Sequence, residues 1–171
     1  MEKVGRWEWA ILTGLGAGLI PKAPGTAGSL VGLIVGGAII QLFPNPNSTL
    51  LLLGILVTLL GVKLIDRYEA AGGVHDDKRI VIDEIAGVLV GLALFNWERG
   101  VWNWVQLLLF FFSFRLFDIW KPSIIGRVDR QVKGGWGVMG DDLLAGVFGA
   151  ILTGLVVMGI EKGVELGGGL F

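Results

Sequence analysis

Four groups of carboxylates stand inside or beside apolar stretches of this sequence: Asp83-Glu84, Asp118, Asp129 with Arg130, and Asp141-Asp142. Charges in apolar spans are costly, which makes each a functional candidate. Oxygen ligands, no cysteine and a single histidine suit a hard cation such as Mg²⁺ better than zinc. Adjacent carboxylates on a helix point about 100° apart. The expectation is therefore that one of Asp83 and Glu84 ligates while the other pairs with Lys or Arg. Arg115, Asp118 and Lys121 follow at i, i+3 and i+6, near one helix face. Two blander readings stand beside these. Arg115 and Asp118 could simply neutralise each other, and Asp141-Asp142 could cap a helix and complement its dipole.

The elements that must hold these residues follow from composition. The 171 residues are 53% hydrophobic and 17% charged, with a mean hydropathy of +0.72 and 29 glycines. A soluble domain is about a quarter charged, and a disordered chain needs low hydrophobicity. With 14 Lys and Arg against 15 Asp and Glu, the chain lacks the basic excess of a nucleic-acid binder. Without cysteine there is no disulfide, thiolate zinc site or thiol nucleophile. What remains is one integral membrane domain over residues 1–171, an all-α polytopic helical bundle.

Apolar runs predict about five spans, near 27–43, 49–66, 81–96, 101–120 and 141–160. Several reach the roughly 17–20 residues of a crossing only by including polar ends. Trp7–Leu19 is too short to span and reads as an interfacial or re-entrant helix. Glu2 and Glu8 argue against a signal peptide. Pro44-Asn45-Pro46-Asn47, Gly72-Gly73 and Gly134-Gly135-Trp136-Gly137 break the helices. Gly28, Gly32 and Gly36, like Gly14 and Gly18 or Gly87 and Gly91, repeat every four residues, which predicts close helix packing rather than ligand contact. The seven tryptophans, several near span ends, read as interfacial anchors. His75 reads as a solvated loop residue rather than a general acid.

Five spans put the N-terminus, the 66–80 loop and the 121–140 loop on one side. Those regions and the adjoining span ends hold 12 of the 14 basic residues, all but Arg99 and Lys162. The N-terminus is therefore expected inside and the C-terminus outside. All four carboxylate groups then fall at the cytoplasmic face, together with Pro21–Ser29. Carboxylates, Lys and Arg gathered there point to phosphoryl chemistry on a lipid, with Mg²⁺ and the basic groups neutralising phosphate oxygens. A transporter would hold its charges nearer the midplane. A non-catalytic assembly subunit, using its glycine faces for partners, is the other alternative. The haloacid-dehalogenase pattern, the histidines of type 2 phosphatidate phosphatases and the CDP-alcohol phosphotransferase pattern are all absent.

Three blocks carry a resemblance. They are Pro24-Gly25-Thr26-Ala27-Gly28-Ser29, Ile80-Val81-Ile82-Asp83-Glu84-Ile85-Ala86-Gly87, and a long third block. The third runs from Phe114-Arg115-Leu116-Phe117-Asp118-Ile119-Trp120-Lys121-Pro122 through Asp129-Arg130 to Gly134-Gly135-Trp136-Gly137-Val138-Met139-Gly140-Asp141-Asp142. In order and spacing the chain resembles the phosphatidylglycerophosphatase A family of bacterial inner-membrane lipid phosphatases. One departure is Ile124, where family members often carry a second proline after Lys121-Pro122.

The resemblance implies Mg²⁺-dependent hydrolysis of phosphatidylglycerophosphate to phosphatidylglycerol and phosphate, on a phospholipid substrate in the bilayer. It makes Asp83, Glu84, Asp118, Asp129 and Asp142 the expected catalytic residues. Asp83, Glu84, Asp141 and Asp142 are the expected metal ligands, and Thr26, Arg115, Lys121 and Arg130 the expected substrate-binding residues. Pro24–Ser29 would present backbone N–H groups at a helix start, a natural anion site. A metal-activated water and a covalent aspartyl-phosphate on Asp118 or Asp83 both remain open. The alternative substrates are other membrane phosphomonoesters, such as phosphatidate or a polyprenyl phosphate.

Overall fold

A computed structural model describes residues 4–95, 97, 102–122 and 124–168, and the side chains of all these except 102, 129, 130 and 164–168. The described chain is all-helical: α1 (Arg6–Leu12), a 3₁₀ turn (Ala17–Leu19), α2 (Pro24–Leu42), α3 (Pro46–Ala70), α4 (Ile82–Leu92), α5 (Trp102–Trp120), α6 (Ile124–Gln131) and α7 (Gly135–Gly168). The class is the expected helical membrane protein. Among the described residues, three helices are both long and apolar enough to cross a bilayer: Pro24–Leu42, Pro46–Ala70 and Gly135–Gly163.

The expected third and fourth spans differ from this. α5 has the length, 19 residues, but carries Asn103, Gln106, Arg115 and Asp118. α4 has only 11 residues, about 16 Å of helix. Its apolar run reflects burial by protein rather than exposure to lipid, for eight of its residues are buried among α2, α3 and α7. The segment still passes through much of the bundle. Ile82 lies beside Gly61 of α3, and Asn47 at the start of α3 donates from Nδ2 to the carbonyl of Ala93 at 2.9 Å. Fourteen residues separate those two levels of α3, about 21 Å.

The glycine row of α2 is what admits α4. A Cβ at Gly28 would lie 2.6 Å from Cβ of Val81, and one at Gly32 3.0 Å from Cβ of Val88. At Gly36 it would collide with Leu92. On the opposite side, Gly87 and Gly91 let α4 approach α7, where added side chains would strike the backbone of Asp142 and Gly146. The packing role predicted for these glycines is the observed one.

α1 and the 3₁₀ turn lie across the end of the bundle where α3 stops, and neither is long enough to cross. Trp9 stacks on Tyr68, the Val81 N–H donates to the Leu12 carbonyl at 2.9 Å, and Gly18 abuts the Arg79 backbone. Asp66 caps α7 from across the bundle, accepting the Gly135 N–H at 2.7 Å. α6, unforeseen in the sequence, begins at Ile124. Past Thr153, α7 leaves its neighbours: a Cβ at Gly154, Gly159 or Gly163 would meet nothing within 4 Å.

Candidate active site

α4 opens with Ile82-Asp83-Glu84, so both carboxylates ride on its first turn. Asp83 is 6% exposed and Asp142 of α7 is 4% exposed. One ligand oxygen from each of Asp83, Glu84 and Asp142 lies within 4.8 Å of the others. This corrects the expectation that Asp83 and Glu84 diverge. The longer Glu84 side chain bends back toward the start of α2, into space that Gly25 leaves empty, since a Cβ there would collide with its carboxylate. Gly87, one turn along α4, brings the Asp142 backbone into reach.

Asp118 joins from α5, and its charge bears on both Glu84 and Asp142. Arg115 pairs with Asp118 on one side, and its Nη1 donates to Ser29 Oγ at 3.3 Å on the other. Ser29 in turn donates to the Gly25 carbonyl at 2.8 Å. Lys121 does not continue the face of Arg115 and Asp118. It sits past the end of α5 with φ +44°, ahead of Pro122, and its Nζ donates to Asp141 Oδ2 at 2.5 Å.

Asp141 and Asp142 are not helix caps, since α7 begins six residues before Asp141. Thr26 is half-buried in the first turn of α2. The side chains of Asp129 and Arg130 lie outside the described residues. His75 is in a loop, half-exposed, with Nδ1 2.6 Å from Glu69 Oε1. With Asp76, Gly137, Val138 and Asp141 it lines a cavity of about 160 Å³.

Charge does not balance here. Among the described residues, Asp83, Glu84, Asp118, Asp141 and Asp142 make five carboxylates, against Arg115 and Lys121. Among the described residues, the buried oxygens Asp83 Oδ1, Glu84 Oε2 and Asp142 Oδ1 have no hydrogen-bond donor. An unpaired buried carboxylate is expensive, so the cluster suits a hard cation with oxygen ligands. The start of α2 is open as well. Ala23 supplies no side-chain cap and Pro24 has no N–H, so the amides of Gly25 and Thr26 are the first that the helix leaves for an outside acceptor.

Sequence reasoning passed over Gly25 and Ser29 as individual residues, though both lie in the first resembling block. It also missed Asp66, whose cap on α7 spans 69 positions of sequence.

A helical membrane bundle with a carboxylate cluster, two basic side chains and an open helix start at one end has the parts that a membrane phosphatase needs. The family model for phosphatidylglycerophosphatase A matches residues 10–157, and the chain belongs to that family. Phosphatidylglycerophosphatase A of Haemophilus influenzae is 39% identical over 143 residues, 84% of each chain. Phosphatidylglycerophosphatase A of Escherichia coli is 38% identical over 83% of this chain and 79% of its own. A protein of Bacteroides thetaiotaomicron described as a putative phosphatidylinositol-3-phosphatase is 39% identical over 82% of this chain and 87% of its own. No solved structure matches the chain.

Proposed function

We propose that the protein hydrolyses the terminal phosphomonoester of phosphatidylglycerophosphate to phosphatidylglycerol and phosphate, using Mg²⁺, at the cytoplasmic face of a bacterial inner membrane. This would be the closing step of phosphatidylglycerol synthesis. The observation that carries the reading is the crowding of Asp83, Glu84 and Asp142 beside Arg115 and Lys121. Family membership supports the substrate, and the basic residues gathered at that end support the orientation.

Asp83, Glu84 and Asp142 would hold the ion, with Asp141 beside them and tied to Lys121. Bound there, Mg²⁺ neutralises and polarises phosphate oxygens. Arg115, Lys121 and the amides of Gly25 and Thr26 bind the other phosphate oxygens. Asp118 takes a proton from the attacking water as the water oxygen bonds to phosphorus. The phosphorus–oxygen bond to glycerol breaks, and the proton passes to the departing glycerol oxygen. Asp129 stays in the proposed reacting set and Arg130 among the proposed phosphate-binding residues, on the resembling blocks alone.

Phosphate release in detergent micelles tests this, comparing phosphatidylglycerophosphate with phosphatidate, with and without Mg²⁺, for the native chain and Asp83→Asn. The expected result is Mg²⁺-dependent release from the first lipid, lost in the variant. Trapping of a phosphorylated aspartate would replace the water mechanism with a covalent one. The Bacteroides relative favours one second reading, a phosphomonoester on another lipid headgroup. Release from phosphatidylinositol 3-phosphate but not from phosphatidylglycerophosphate would select it.

A further inference from the structure

We propose that the cleft between α2 and α5 seats an acyl chain of the lipid whose phosphate binds at the carboxylate cluster, an inference that rests on the lipid-phosphatase reading. The cleft has a volume of about 500 Å³ and is lined by Leu33, Ile34, Gly37 and Ala38 of α2 and by Trp104 and Leu107 of α5, with Gln41 at its far end. Ile34 is 70% exposed, so the cleft opens sideways toward the surrounding lipid.

Continuity with the phosphate site sets this cleft apart from an ordinary lipid-facing furrow. Gly25, Ser29, Leu33, Gly37 and Gln41 follow one another at four-residue steps, a ridge that winds slowly around α2. The upper members, Gly25 and Ser29, touch Glu84 and Arg115. The lower three line the cleft. The same seam on α5 runs from Arg115, bonded to Ser29, down to Trp104. From Gly25, whose amide belongs to the phosphate site, it is eight residues or about 12 Å of helix to Leu33 at the top of the cleft, and sixteen or about 24 Å to Gln41. One leaflet is about 15 Å deep, half of the ~30 Å hydrocarbon core. A chain hanging from a phosphate at the cluster would therefore enter the cleft at Leu33 and extend toward Gly37 and Ala38, short of Gln41.

The hollow arises from two small residues. The glycines that face α4 are filled tightly by its side chains. Gly37 is buried yet meets nothing closer than Leu107 Cδ1, 3.7 Å from where its Cβ would stand. Neighbouring Ala38 is exposed to the cleft. A larger side chain at either position would occupy the space without displacing a helix.

Ala38→Phe and Gly37→Leu test the assignment, because neither residue belongs to the phosphate site. Dioleoyl phosphatidylglycerophosphate and its dihexanoyl analogue are compared in one detergent. KM for the dioleoyl lipid should rise about tenfold in each variant, the scale on which a filled apolar pocket discriminates. Turnover of the dihexanoyl lipid should be unchanged, which also shows that the variants fold. An equal effect on both lipids, or none on either, would overturn the assignment.

A second readout does not need turnover. Phosphatidylglycerophosphate with a mid-chain diazirine is photolysed with the native protein in phosphatidylcholine nanodiscs. Labelling should concentrate on Leu33–Ala38 and Leu107, and be displaced by unlabelled phosphatidylglycerophosphate but not by phosphatidylcholine. Displacement by phosphatidate or phosphatidylinositol 3-phosphate alone, without phosphatidylglycerophosphate hydrolysis, would keep the cleft and overturn the headgroup. Labelling equal to that of the exposed Leu52 and Leu56 on α3, with no displacement, would reduce the cleft to bulk lipid contact.

Discussion

Among the described residues Asp83 Oδ1 and Asp142 Oδ1 are buried without a donor, so each carboxylate costs stability where it stands. Replacing either by asparagine removes one charge from a crowded set at almost constant volume. Asp83→Asn and Asp142→Asn should each lower phosphate release at least a hundredfold, since a metal-held phosphate contact contributes several kcal/mol at about 1.4 kcal/mol per tenfold. Thermal unfolding in detergent without divalent cations should show Tm no lower than the native value. A fall in Tm parallel to the loss of activity would make these residues structural.

Asp77 behaves in the opposite sense. It lies in the loop before α4, where hydrogen bonds from Arg79 at 2.9 and 2.6 Å hold its carboxyl well below the ordinary carboxylate range, with a further bond from Tyr68 at 2.7 Å. Its contribution is complete above the unfolded value, about 4, and is lost as pH falls from there toward the depressed folded value. Asp77→Asn should lower Tm at neutral pH and flatten its decline below about pH 4, as a pH series of melts would show. At this scale the sequence already displayed the carboxylates, the basic groups and the Pro24–Ser29 block. It could not display which oxygens meet, because the longer reach of Glu84 and the empty space at Gly25 decide that in three dimensions.

Helices set the distances that side chains only refine. Gly87 holds α4 against α7, and with it Asp83 and Glu84 against Asp142. Gly87→Ala should push the two helices apart, costing about 1–3 kcal/mol of stability and most of the phosphatase activity. Gly159→Ala, in the part of α7 that has left its neighbours, should leave activity unchanged and gain up to about 1 kcal/mol from reduced backbone freedom. Activity assays and urea titrations of the two variants check the contrast. The long helices were legible because length and apolarity coincide: 49–66 lies within Pro46–Ala70, and 141–160 lies within Gly135–Gly168. α4 misled because an apolar run looks alike whether lipid or protein covers it. α6 was missed because it is only eight residues long and, with two arginines and an aspartate, low in apolar content, although those residues are strongly amphipathic.

Across the whole molecule, the α3–α4 loop, the start of α7 and the N-terminal segment lie at one end, and Lys162 lies far along α7 toward the other. Trp7, Trp120 and Trp136 are exposed, while Trp104 marks the far end of α5. The chain has no cysteine, so single cysteines report sidedness on a clean background. In intact cells a membrane-impermeant maleimide should label Lys162→Cys and spare Lys78→Cys, and broken cells should label both. The reverse pattern would turn the site outward. The buried α4 also bears on biogenesis. At 11 residues it falls below the ~17 needed to enter a bilayer as an independent span. α2 and α3 can insert as a hairpin during synthesis, but α4 must wait for the glycine row of α2 on one side and for α7, made after it, on the other. The carboxylates are thus brought together only once α7 has been made, so a nascent chain that stops short of α7 carries no phosphatase activity.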